Sequence, residues 1–108
     1  MSDLVEATDA TFQAKVLDAG RPVLADFSAT WCGPCKKLQP IVEDLAGEYA
    51  GRVDMVHIDV DQAQETAARY GVMSVPTLLF FKGGEARDQL TGFVPKETVR
   101  QHLDRLLS

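Results

Sequence analysis

Val23-Leu24-Ala25-Asp26-Phe27-Ser28-Ala29-Thr30-Trp31-Cys32-Gly33-Pro34-Cys35 begins as a strand and ends as the opening of a helix. Val23–Phe27 follows a Gly20-Arg21-Pro22 turn and is almost continuously apolar, the pattern of a strand covered on both faces. From Pro34 to Tyr49 the period becomes helical: Leu38, Ile41, Val42, Leu45, Ala46 and Tyr49 recur at steps of three and four. Pro40 cannot donate to the carbonyl of Lys36, which predicts a kink rather than two helices. Gly51 is a natural stop. Both cysteines of the chain lie where this strand hands over to this helix. The carboxyl end of a strand is where open α/β sheets place their sites.

The remaining elements follow outward from there. Val53–Val60 is β-branched and reads as a second strand. Asp61–Tyr70 reads as a short helix stopped at Gly71. Thr77–Lys82 is a third strand, Gly83-Gly84 a tight hairpin turn, and Glu85–Thr91 a returning edge strand. Pro95 opens a last helix whose apolar face is Val99, Leu103, Leu106 and Leu107. At the front, Leu4-Val5 suggests a short strand. Phe12, Val16 and Leu17 suggest a helix that starts near Thr8 or Asp9. Helices alternating with strands, then a hairpin and a last helix, imply an α/β sandwich on a mixed sheet.

The 108 residues suit one domain spanning 1–108. A composition 45% hydrophobic and 25% charged supplies one core without disulfide staples. A net charge of −5 disfavours phosphate backbones, so nucleic acid is an unsuitable partner. There is no basic amphipathic face for anionic lipid. The apolar run Val75–Phe81 is too short to span a bilayer and contains Pro76 and Thr77. Met1–Glu6 lacks a cationic region followed by an apolar stretch, so no signal peptide is expected, and the expected location is the cytosol. A reducing compartment agrees with a cysteine pair that reacts rather than staples.

Cys32 and Cys35 have no other cysteine to pair with. A disulfide across so small a loop contributes little chain-entropy stabilisation. It suits a dithiol that cycles between open and closed forms. By spacing alone the pair could also be half of a zinc site.

The chain resembles the thioredoxin family from about Phe12 to Leu107. Separated segments carry the likeness: Asp26-Phe27, Trp31-Cys32-Gly33-Pro34-Cys35-Lys36, Pro40, Asp59 and Asp61, Val75-Pro76-Thr77, Gly84 and Gly92. The resemblance implies a five-stranded mixed sheet flanked by four helices. It implies a monomer that reduces protein disulfides by thiol–disulfide exchange. No resident cofactor is expected. Electrons would come from NADPH through thioredoxin reductase, a separate flavoenzyme.

On this resemblance Cys32 is the attacking nucleophile, favoured as a thiolate at the helix start. Cys35, one turn later, is the resolving thiol. Gly33 permits close approach of a partner's backbone, and Pro34 fits the first helical turn. Asp26 is an anomaly in an apolar strand. Burial would raise its pKa and suit it to accept the Cys35 proton; the bland alternative is a structural acid with a bonded partner, or one that reaches solvent. His57 stands where the family often carries lysine. By alternation it shares a face with Val53 and Met55, so it either joins a proton network or sits on a strand end. His102 reads as a surface or boundary residue.

The resemblance makes Pro76 a cis proline facing the cysteines, with the Val75 backbone free to pair with an extended substrate segment and Thr77 leading the strand away. Trp31 would shape the rim, and Lys36 would add positive potential near the thiolate. Ser28 replaces a second tryptophan found in many relatives. Gly92, Val94 and the bulky Phe93 would complete an apolar patch. Three other functions compete with a reductase. A zinc module lacks ligands near the pair, so no metal is expected. A docking protein would survive loss of both cysteines. An oxidase or isomerase fits Gly33-Pro34 poorly.

Overall fold

The computed structural model describes residues 4–108. Its elements, in chain order, are β1 (Val5–Glu6), α1 (Gln13–Leu17), β2 (Val23–Ser28), α2 (Gly33–Glu48), β3 (Asp54–Asp59), α3 (Gln64–Arg69), β4 (Thr77–Lys82), β5 (Glu85–Thr91) and α4 (Lys96–Leu107). The five strands form one sheet in the order β1-β3-β2-β4-β5. β1 and β2 both run parallel to β3, whereas β4 lies antiparallel to β2 and β5 to β4. The α/β fold with a mixed five-stranded sheet and four helices is therefore the one the sequence implies.

Strand alternation sorts the core into two halves. Leu24, Met55, Leu78 and Phe80 face α2 and α4, where they meet Leu38, Val42, Leu45, Val99, Leu103 and Leu106. Val23, Ala25, Phe27, Val56, Ile58, Leu79 and Phe81 face the other side, under Phe12, Val16, Ala63 and Ala67. β2 is buried along its whole length, as its apolar run predicts. Its central place suspends whatever follows Ser28 over the middle of the sheet.

Several local expectations need correction. α1 is a single wide turn whose Asp18 N–H donates to the Gln13 carbonyl, five residues back. Asp9 does not cap it. Instead the Asp9 carboxylate accepts from the Thr66 N–H at 2.8 Å, the Thr66 hydroxyl at 2.6 Å and the Glu65 N–H at 3.3 Å. It thus caps α3 from across the chain, and these bonds hold its pKa below the ordinary value. α3 correspondingly starts at Gln64 rather than Asp61, and β3 occupies only Asp54–Asp59 of Val53–Val60. Pro95 is the residue before α4 rather than its first. α2 is one helix through Pro40, as the sequence implies, rather than two.

The Gly83-Gly84 turn has positive φ at both positions, +62° and +79°, the backbone of a tight hairpin turn that side chains resist. A Cβ on Gly84 would lie 3.4 Å from the Leu17 carbonyl oxygen. Gly84→Ala is expected to lower unfolding free energy by about 1 kcal/mol through left-handed strain. Urea denaturation midpoints read the loss, and an unchanged midpoint would contradict it.

Candidate active site

β2 ends at Ser28 and α2 starts at Gly33, so Cys32 is forced into the capping position of α2. Its backbone is extended (φ −93°, ψ 113°), and its sulfur accepts the Cys35 N–H at 3.2 Å. Pro34 occupies the first turn, where its missing N–H leaves nothing unpaired. Cys32 and Cys35 are joined as a disulfide with their Cα atoms 5.3 Å apart. Both are nearly buried, in a small cluster with Ala29 flanked by Val60 and Val75.

The loop before β4 supplies the opposite wall. The Val75–Pro76 peptide is cis. The Cys32 sulfur lies 3.7 Å from the Val75 carbonyl oxygen. Thr77 turns its hydroxyl back to the Ser74 carbonyl at 2.8 Å, and the Gly92 N–H donates to the Pro76 carbonyl at 2.8 Å. Gly92, at φ +86°, thereby ties the end of β5 to the cis proline. Val94 turns inward and packs against the α2–α4 core. Trp31 is 69% exposed, yet its indole N–H donates to the Asp61 carboxylate at 2.8 Å. Between Trp31, Val60, Val72, Met73 and Val75 lies a hollow of about 140 Å³. Met73 and Phe93 add exposed apolar surface at 94% and 49%. Gly33 and Lys36 are exposed on α2.

Asp26 is 2% exposed, and its Oδ1 has no hydrogen-bond partner. Burial pushes its carboxyl up to about 6 from 3.8, the cation of a protonated His57 pulls it back, and the Glu6 carboxylate adds a smaller upward push. His57 lies opposite Asp26 across the β2–β3 ladder. Its Nδ1 meets the Glu6 carboxylate at 2.8 and 3.0 Å. A further hollow of about 230 Å³ borders His57, Ser28, Lys36 and Asp59. His102 is away from the site, paired with Asp88 at 2.5 Å and stacked on Phe80.

Sequence reasoning missed the partners of two site residues. Glu6 becomes visible only once β1 is registered on β3. Asp61 gives no local sign that it will receive the Trp31 indole. Among the described residues no group of three or more His, Cys, Asp or Glu side chains could hold a metal. No helix among them is long and apolar enough to cross a membrane.

A closed dithiol at a helix start, with a cis proline beside it on a mixed α/β sheet, defines a thiol–disulfide oxidoreductase. The family model described as Thioredoxin matches residues 3–105. The chain is 44% identical over 107 residues to Thioredoxin 1 of Nostoc sp., covering 99% of this chain and 100% of that one. It is 48% identical over 104 residues to the thioredoxins of Staphylococcus epidermidis and Staphylococcus aureus, covering 96% of this chain and 98% of each of theirs. The chain belongs to the thioredoxin family, and its Cys32–Cys35 disulfide is that of a protein-disulfide reductase.

Proposed function

We propose that residues 1–108 form one monomeric cytosolic domain that is a general electron donor to protein disulfides. It is recharged by thioredoxin reductase at the expense of NADPH and carries no resident cofactor. Cys32 is the nucleophile. As a thiolate it attacks one sulfur of the substrate disulfide, forms a mixed disulfide and expels the other substrate sulfur as a thiolate. Cys35 then gives its proton to Asp26, attacks the Cys32 sulfur and releases the second substrate thiolate. Two electrons have passed, one substrate disulfide is open, and Cys32–Cys35 is closed.

The observation that carries this reading is the asymmetric setting of the two sulfurs. The Cys32 sulfur accepts a backbone N–H at the start of α2, where the helix dipole favours negative charge. Its 3.7 Å contact with the Val75 carbonyl supports docking of an extended substrate segment along Val75-Pro76-Thr77. Trp31, Gly92 and Val94 line or brace that groove, Gly33 and Pro34 open the helix, and Lys36 adds positive charge. The unpartnered, buried Asp26 oxygen supports the role of proton acceptor. Reduction of insulin by dithiothreitol, followed by turbidity, tests the reading. Strong acceleration by the chain is expected. A rate no higher than dithiothreitol alone would remove the general-reductase function.

A further inference from the structure

Glu6, His57 and Asp26 stand in one row across three neighbouring strands. Glu6 lies opposite His57 on the β1–β3 ladder, and Asp26 lies opposite His57 on the β2–β3 ladder. Residues level with each other on adjacent strands share a face. The row runs from solvent inward: the Glu6 side chain is 71% exposed, that of His57 18%, and Asp26 only 2%. The edge end is pinned twice more. The Ala7 N–H donates to the His57 carbonyl at 3.0 Å, and Lys15 Nζ donates to the Glu6 carbonyl at 2.6 Å. Lys15 therefore leaves the Glu6 carboxylate to the histidine. Lys36 from α2 and Asp59 from β3 are the other charged groups bordering the hollow beside His57.

We propose that Glu6 is a positioning residue for the disulfide reaction: its carboxylate holds the His57 ring in the row and so sets the pH at which Asp26 exchanges its proton with Cys35. The proposal rests on the reading of Asp26 as the proton acceptor. Glu6 acts on Asp26 in two opposed ways. Its own charge favours the protonated acid, but from a largely exposed position beyond an intervening strand, where water screens it. The histidine it holds is nearer and more buried, and its cationic form favours the carboxylate. On this proposal the second effect outweighs the first, so removing the Glu6 carboxylate raises the Asp26 midpoint. A bystander charge would give the opposite sign.

The test is a titration of the Asp26 carboxyl by 13C NMR in the oxidised full chain, with Glu6→Gln, His57→Gln and the double variant. Glu6→Gln is expected to move the midpoint up by about half a pH unit. In the His57→Gln background the same change is expected to give no upward movement, a coupling read directly from the cycle. The pH profile of Cys35-dependent substrate release should shift with the midpoint. A downward or absent shift in the His57-containing protein, or equal shifts in both backgrounds, would overturn the proposal. Asp26→Asn separates the two readings. If it leaves the release profile unchanged, Asp26 is not the acceptor, and Glu6 loses its part in the reaction whatever the titration shows.

Discussion

Cys35→Ser is expected to leave the chain able to attack a disulfide and unable to let it go, whereas Cys32→Ser is expected to do neither. The asymmetry lies in where α2 begins. Cys32 is its capping residue, so its sulfur takes the place of the oxygen that usually accepts a first-turn N–H. That bond and the dipole lower the cost of a thiolate at this one position. Cys35 lies inside the first turn, with its own N–H spent on Cys32. On the proposed mechanism it becomes a nucleophile only when a base takes its proton and a mixed disulfide presents the Cys32 sulfur beside it. Insulin turnover should fall to the dithiothreitol background in both variants. Mass spectrometry should find the Cys35→Ser chain covalently joined to substrate and the Cys32→Ser chain free. An adduct formed equally well by Cys32→Ser would reverse the assigned roles.

The elements that sequence reading located are those whose signals are local. The helical period from Leu38 to Tyr49, the β-branched run in β3 and the Gly83-Gly84 turn each carry their instruction within a few residues. The strand-to-helix handover at Cys32 is local too, which is why the place of the reactive pair is legible in the sequence. What escaped depends on partners distant in the chain. Asp9 has the residue type of a cap, and the nearest helix start lies just ahead of it. Its three hydrogen bonds nevertheless go to Glu65 and Thr66, because the β1–α1 connection crosses the start of α3. Glu6 gives no sign alone, and His57 stands out in the sequence without a visible partner. Their pairing needs the register Glu6↔His57, which no local pattern specifies for a strand as short as Val5–Glu6. Asp26 is the intermediate case. Its burial was legible from the apolar run around it, but not its unpaired oxygen, which depends on which neighbours from β3, β4 and α2 can reach it.

That unpaired oxygen sets the second large effect, a gain in stability from Asp26→Asn that exists only at neutral and alkaline pH. Burial raises the Asp26 carboxyl from 3.8 to about 6 in the folded chain. Below the unfolded value both states hold the proton, and the buried acid carries no ionic penalty. As pH rises past that value the unfolded chain ionises freely while the folded one keeps its proton, so folding stability falls. The loss is complete once the folded acid ionises, above about pH 6. A displacement of about two units corresponds to roughly 3 kcal/mol. Glu48 and Asp88 have lowered values and slope the other way, losing stability toward acid, but they do so equally in wild type and variant. The difference between the two proteins therefore isolates Asp26. It should be small at pH 4 and approach 3 kcal/mol at pH 8, reduced there by the cost of burying amide N–H groups without partners. Urea denaturation across that range reads the difference directly. A difference that does not vary with pH would mean that Asp26 ionises alike in both states and has no raised affinity to offer the Cys35 proton. A difference that grows as described means that the chain retains, in the middle of its central strand, a buried group that weakens the fold at neutral pH. Such a cost is what the proposed role of Asp26 as proton acceptor would impose on an otherwise apolar strand.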